Sequence, residues 1–172
     1  MSVVVRAATV EDARAIAEIH VAGWRAAYRG QMPDTVLDGL SVERRAEQWT
    51  QRIGAPAPPE QRTWVSWDGT RVTGFANTGP SRDADARPGV AELFAIYVDP
   101  SAWGTGAGRA LLAHAAADVS ERGFAGMSLG VLGTNARARR FYERAGFRTD
   151  GGEKTATFGG AVLQELRYSS LR

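Results

Sequence analysis

Residues 99–115 read "DPSAWGTGAGRALLAHA". Three alternate glycines, Gly104, Gly106 and Gly108, stand directly ahead of an apolar helical pattern, and the run before them, "VAELFAIYV" (90–98), is the most apolar strand-like segment of the chain. Pro100 cannot continue a ladder, so the strand must end there. A strand that feeds a glycine-rich turn into a helix N-terminus is suited to holding phosphate. The first-turn amides lack intrahelical partners, and the helix dipole adds about half a positive charge at that end. Two nucleotide motifs fail on spacing. A P-loop needs Lys-Ser/Thr after its last glycine, where the chain has Arg109 and Ala110. A dinucleotide fingerprint needs a third glycine where Arg109 stands. The glycines alone fit a plain tight loop as well as a phosphate cradle.

Working outward, helix 108–122 places Leu111, Leu112, Ala115 and Val119 inward and closes at Gly123. "GMSLGVL" (126–132) is a strand, and "NARARRFYERAG" is a helix opened by Asn135 and followed by Gly146. "KTATFGGAVLQELRY" is a final hairpin turning at Gly159-Gly160. Upstream, "RTWVSWDGTRVTGFANTG" is two strands joined at Asp68-Gly69. "GAPAPPE" and "PSRDADARPG" are polar loops. At the beginning, "SVVVRAAT" is a short strand whose Thr9 and Asp12 form a capping-box pattern. The helix it opens presents Ala13, Ile16, Ala17, His20, Val21 and Trp24 on one face through about Tyr28. A further helical stretch starts at Pro33 as its first residue and is interrupted near Gly39 and Ser41. This order predicts a mixed α/β sheet with helices on both faces and one strand–helix–strand crossover around the glycines.

A chain of 172 residues has the size of one compact domain spanning 1–172. It has no cysteine and two histidines, His20 and His114, which excludes disulfides, thiolate metal sites and a cysteine nucleophile, and leaves no metal expected. No apolar run approaches the ~20 residues of a membrane-spanning helix, and "MSVVVRAATVEDARAIA" lacks the pattern of a secretory leader. The expectation is a soluble, cytoplasmic protein with no membrane partner. The sequence pI of about 9.4 overstates the net charge of +2, because all basic residues but Lys154 are arginine. With no charge block, nucleic acid is not expected as a partner. The stripe Arg137, Arg140 and Arg144 reads as a solvated helix face.

The turn "WGTGAG" and the block "NARARRFYERAGF" (135–147) together resemble the GNAT superfamily of acyl-CoA-dependent N-acyltransferases. The first matches Gln/Arg-x-x-Gly-x-Gly/Ala at Gly106 and Gly108, with Trp103 where that family usually has glutamine or arginine. The second matches Asn-x-x-Ala-x-x-Phe-Tyr-x-x-x-Gly-Phe. The resemblance covers essentially the whole chain and implies a mostly antiparallel sheet with one parallel crossover pair. It implies acetyl-CoA as cosubstrate, its pyrophosphate held by Gly104, Thr105, Gly106, Ala107, Gly108 and Arg109. It implies a bulge late in the fourth strand, around Ile96, Tyr97 and Val98, whose freed amides pair with the pantetheine and polarise the acetyl carbonyl. Homodimers are common in that family, and an exposed edge at the last hairpin would accommodate one.

Asn135 and Tyr142 are seven residues apart and share a helix face kept shallow by Ala138. The resemblance implies that Asn135 contacts the pantetheine and that Tyr142 protonates the departing thiolate. By spacing alone Tyr142 fits equally a core position under the last strands. An alkyl amine, with pKa near ~10.4, is almost wholly protonated at pH 7 and must lose a proton before attack. Glu92 is the candidate base, since a carboxylate in a central strand is costly unless paired or wet. Strand alternation puts Glu92, Phe94 and Ile96 on one face and Leu93, Ala95 and Tyr97 on the other. A salt bridge at the strand start is the competing reading of Glu92. One branch of the family, which acetylates ribosomal-protein N-termini, carries a glutamate where this chain has Gly130, which argues against that branch.

The acceptor amine is expected near "HVAGWRAAYRGQMPD" (20–34), where Trp24 and Tyr28 suit either a substrate cage or edge packing and His20 reads as a satisfied buried histidine. The function implied is transfer of acetyl from acetyl-CoA directly to a primary amine of a small molecule or peptide. The alternatives are a different acyl group and a non-catalytic acyl-CoA-binding or sensor module.

Overall fold

A computed structural model describes residues 3–56, 60–158 and 160–171. Part of the polar loop 54–60 and Gly159 of the expected last turn therefore lie outside the described residues.

Strand β1 (Val4–Ala7) leads into the capping box. The Thr9 amide donates to Asp12 Oδ2 at 2.8 Å, and Arg6 clamps the same carboxylate from 2.7 and 2.8 Å. The box closes a 3-10 turn from which α1 (Ala13–Tyr28) runs. Helix α2 (Asp34–Asp38) and helix α3 (Val42–Gly54) follow, the latter capped by the Ser41 side chain, which accepts from the Arg44 amide at 3.1 Å. Pro33 sits just outside α2 as its N-cap, one position earlier than expected. The break at Gly39–Ser41 arises because Ser41 takes extended dihedrals and restarts the helix.

Strands β2 (Arg62–Trp67), β3 (Val72–Pro80) and β4 (Val90–Val98) form an antiparallel meander. Helix α4 (Ala107–Glu121) then crosses to β5 (Gly126–Leu132), which lies parallel to β4. Helix α5 (Ala136–Arg144) precedes β6 (Arg148–Phe158) and β7 (Ala161–Ser169). The sheet order is β1-β2-β3-β4-β5-β7-β6, so the last strand inserts between β5 and β6. This is the expected mixed sheet with one parallel pair.

Two apolar cores cover the two faces. Leu111, Leu112 and Val119 of α4 and Tyr142 of α5 pack on Ala91, Leu93, Met127, Leu129 and Tyr168. On the other face Ala13, Ile16, Ala17 and Ile19 of α1 and Trp49 of α3 pack on Val65, Val72 and Phe75. A smaller cluster joins Met32 and Leu37 to Leu132 and Leu163, with Trp24 and Tyr28 at its border. Each fully buried leucine contributes about 2 kcal/mol by leaving water.

Two irregularities make the centre of the sheet unlike its rim. The register between β3 and β4 shifts at Phe94: Asn77 pairs with Ala95, but Thr78 pairs with Leu93. Such a bulge puts two consecutive residues on one side. Ala91 and Leu93 face α4, and beyond the bulge Ile96 and Val98 face it too, whereas Ala95 and Tyr97 join the α1 core. The expected alternation is thus corrected: Ile96 lies opposite Glu92 and Phe94, and Tyr97 shares their side. The register shift also falls at Phe94, upstream of the expected 96–98. The second irregularity is the shortness of the parallel pairing. It runs only from Val90↔Gly126 to Glu92↔Ser128, after which β4 and β5 part.

Candidate active site

Beyond Glu92 and Ser128, β4 runs six more residues and β5 four more with no ladder between them. On the edge of β4 away from β3, the main-chain groups from Leu93 to Val98 therefore have no neighbouring strand. The glycine turn stands at the top of this split. Gly104 (φ +82°) and Gly106 (φ +94°) adopt left-handed dihedrals that only glycine takes without strain, and Gly106 is the N-cap of α4. The first helical bond is Ala110 N–H to Gly106 O at 2.9 Å, which leaves the amides of Ala107, Gly108 and Arg109 as the unpaired donors of the helix start. Gly108, by contrast, is ordinary helix and has Val98 and Phe141 as neighbours. Thr105 bonds back to the Ala102 carbonyl at 2.8 Å, stiffening the turn. The exposed Arg109 reaches back until a guanidinium nitrogen is 3.9 Å from where a Cβ on Gly106 would be.

Trp103 fills its position in an unforeseen way. Its indole N–H donates to the Val98 carbonyl at 3.0 Å, and the Arg137 guanidinium carbon lies 3.5 Å from its ring centroid. Arg137 is therefore not simply part of a solvated stripe. It is a cation held flat beside the glycine turn, linking α5 to the end of β4. Only the departure at Trp103 could have flagged it in the sequence.

Asn135 caps α5, its Oδ1 accepting from the Ala138 amide at 3.1 Å. Tyr142, one face of the helix later, is 8% exposed, its ring packed on Phe141 and Phe147. Burial, with the Tyr28 phenol nearby, pushes its hydroxyl well above the ordinary phenol value, so it stays protonated at neutral pH.

On the α1 side, two phenols and an indole converge. Gly23 gives Tyr97 its seat: a Cβ there would come within 2.5 Å of the Tyr97 ring. The Tyr28 and Tyr97 phenols and the Trp24 indole lie close enough to influence one another's titration. Tyr97 also feels Tyr142 across the sheet and is held, mainly by burial, well above the ordinary phenol value. The sequence places Tyr97 here only as a backbone element of the site; its hydroxyl joins the acceptor side. Trp24 and Tyr28 pack edge to face at 5.1 Å, forming one wall. His20 is the satisfied buried histidine expected: Nδ1 accepts from Trp49 at 3.3 Å, and burial with the arginines at 45 and 52 lowers its pKa to about 3.

Glu92 is 4% exposed and lies at the bottom of the split. Arg82 occupies both carboxylate oxygens, through its amide at 2.9 Å, Nε at 3.2 Å and Nη2 at 2.8 Å. Lys154 Nζ lies 3.8 Å away and is itself paired to Asp83. The arrangement matches the salt-bridge reading of this residue. Neither Arg82 nor Lys154 carries a sequence signal, since one lies in a loop and the other in the last hairpin.

The turn, the split and the walls fit a long ligand with a phosphate end and a narrow stem: unpaired amides and arginines meet the anion, and a cleft between two strands admits the stem. Among the described residues no group of three or more His, Asp or Glu could hold a metal, and no described helix is long and apolar enough to cross a membrane.

Comparison with known proteins agrees with this geometry. The model of the acetyltransferase (GNAT) family matches residues 22–147. An uncharacterized N-acetyltransferase of Bacillus subtilis, YuaI, is 35% identical over 135 residues, covering 77% of this chain and 73% of that protein. A mycothiol acetyltransferase of Rhodococcus opacus is 31% identical over 106 residues, covering 62% of this chain but only 33% of its own length. Among solved structures, yncA of Salmonella typhimurium, a putative acetyltransferase with its cofactor acetyl-CoA, superposes with a TM-score of 0.71 at 23% identity, over 98% of this chain and 93% of that one. At that identity the likeness is one of fold.

Proposed function

The chain belongs to the GNAT acetyltransferase family and is an acyltransferase, and from that premise we propose that it transfers acetyl from acetyl-CoA directly to a primary amine of a small molecule or peptide. The observation that carries the reading is the parting of β4 and β5 immediately below the glycine turn. In this reading the amides and side chains of 104–109 hold the pyrophosphate. The β4 backbone at Ile96, Tyr97 and Val98 supports the pantetheine and polarises the thioester carbonyl, and Asn135 steadies the stem from the other wall. Tyr142, kept protonated by burial, gives its proton to the leaving sulfur. Trp24, Tyr28 and the Tyr97 hydroxyl line the acceptor side. Glu92, engaged at both oxygens, anchors the β3–β4 loop through Arg82 and leaves proton removal to another group.

A single domain over 1–172, a cytoplasmic site of action and a homodimer belong to the same proposal. The support for a dimer is that β6, eleven residues long, is an edge strand of the sheet.

The test is calorimetric titration with acetyl-CoA of the wild type and of a folded Gly106→Trp variant, followed by thiol release with a panel of alkyl amines and free-N-terminal peptides. Saturable binding lost in the variant, with thiol release for at least one amine, supports the reading. Binding without any thiol release would make the protein an acyl-CoA sensor.

A further inference from the structure

We propose that Glu165 is the general base, its carboxylate taking the proton from the acceptor ammonium on the open face of β5 at Gly130. The inference rests on the acetyl-transfer reading and supplies the proton acceptor that Glu92 does not.

The geometry begins with the register of β5 and β7. Glu165 sits opposite Leu132 and Arg167 opposite Gly130. Leu129 and Val131 face α4 and α5, so Gly130 and Leu132 face the α1 side. The Glu165 side chain leans along β7 toward Arg167 until Oε2 would lie 2.9 Å from a Cβ at Gly130. The glycine, exposed to solvent, is what leaves room for the carboxylate. Gly130 is two residues past Ser128, the last position at which β5 pairs with β4. The carboxylate therefore stands at the split, on the face where Tyr28 and Tyr97 form the wall.

Its electrostatic surroundings agree. The Tyr28 phenol feels the Glu165 carboxylate, and Tyr142 in turn feels Tyr28, so Tyr28 lies between the two groups. The groups that face Glu165 are Lys154 from β6, Glu92 from β4, Arg82 and Asp83 from the β3–β4 loop, and Tyr28 from α1. Burial is the largest influence and raises the carboxyl above its usual value; Glu92 and Asp83 add to the rise, while Lys154 and Arg82 oppose it. Among the described residues none donates a hydrogen bond to Glu165, in contrast to Glu92. A buried carboxylate that accepts no hydrogen bond from the described residues and has its pKa moved upward is better matched to an ammonium than an ordinary one.

The proton and electron balance is complete. Glu165 removes one proton from R–NH3+, and the nitrogen lone pair forms the N–C bond as the carbonyl π pair moves to oxygen. On collapse the C–S bond breaks with its electron pair on sulfur, which takes the Tyr142 hydroxyl proton. The nitrogen then returns a proton to the Tyr142 oxygen, and Glu165 releases its own to water. The products are the N-acetyl amine, CoA thiol and one proton.

The decisive variant is Glu165→Gln, which keeps size and shape. Expected is unchanged calorimetric affinity for acetyl-CoA, with kcat/KM for the fastest amine of the panel lower by about 100-fold and the acidic limb of its pH profile abolished. Glu165→Asp should keep that limb at a reduced rate. Glu165→Gln activity within threefold of wild type with the limb intact would overturn the assignment, as would loss of stability and affinity with an unaltered profile. A readout independent of turnover is carbon-13 NMR of labelled glutamate carboxyls, the Glu165 signal being the one missing in Glu165→Gln. It should titrate above the other glutamates and shift when acetyl-CoA is added; a signal that does neither also overturns the proposal. Wild-type protein that binds acetyl-CoA yet acetylates no amine would instead defeat the acetyl-transfer reading, and the NMR signal would still report whether Glu165 stands at the split.

Discussion

The guanidinium of Arg137 lies flat on the ring of Trp103, 3.5 Å from centroid to carbon, while the same indole donates to the last carbonyl of β4. The pair presents positive charge beside the glycine turn from a rigid platform. Arg137→Ala should raise the Kd for CoA about fivefold, equivalent to about 1 kcal/mol. Trp103→Ala should cost a similar amount, and the double variant little more than either alone. Calorimetry on the four proteins measures the coupling; strictly additive losses would show that stacking does not position the arginine.

Tyr142→Phe removes one oxygen from a ring already packed in the core, so the thermal midpoint should move by only a few degrees. The kcat for thiol release should fall about 100-fold or more while the affinity for acetyl-CoA holds. Stopped turnover assays beside calorimetry separate the two effects, and an unimpaired kcat would remove Tyr142 from the acid role.

Gly106→Ala places a side chain at φ +94°. It should destabilise the protein by about 1–2 kcal/mol and weaken acetyl-CoA binding, because relief of the strain moves the amides of Ala107 and Gly108. Denaturant unfolding and calorimetry give the two numbers. The equivalent change at Gly108, which lies in helical backbone, should leave stability within about 0.5 kcal/mol of wild type.

Glu92→Gln should cost about 2 kcal/mol of stability, because Arg82 loses its partner at a buried position, yet leave the acidic limb of the pH–rate profile in place. A vanished limb in this variant would return the base role to Glu92.

His20 gives the stability curve a distinct slope. Its pKa falls from 6.5 to about 3 on folding, so the unfolded chain binds the extra proton between those values. Stability is fully present above pH 6.5 and declines as the pH drops toward 3. The raised carboxyl of Glu165 works in the opposite direction, and the lowered ones of Asp12 and Asp68 act only at more acidic pH. The difference between wild type and His20→Gln in urea unfolding from pH 7 to 4.5 isolates the histidine: the gap should narrow or reverse as pH falls.

Much of the fold could be read directly. Capping chemistry at Thr9 and Asp12, the Asp68-Gly69 hairpin, and the bounds of β5 follow local rules, and the structure keeps them nearly residue for residue. The glycine turn into α4 was legible for the same reason. The bulge at Phe94 was not, because "VAELFAIYV" is apolar at nearly every position and tolerates either phase of alternation. Glu165 was hidden more deeply. Its neighbour Gly130 lies 35 positions earlier in the chain, and only the register of an inserted strand brings the two together. Arg82 lacks periodicity of any kind, so its hold on Glu92 could not be inferred.

The placement of β7 between β5 and β6 also dictates when the protein can become a protein. As the chain leaves the ribosome, β1 to β4 can zip in sequence, but β5 gains only three parallel pairs, and its other edge stays bare until residues 161–169 emerge. From the completion of β5 until β7 emerges, the nascent chain must therefore carry an unfinished sheet with an adhesive strand edge exposed. Closure of that edge is a late event, and the opening between β4 and β5 is bounded only when the fold is finished.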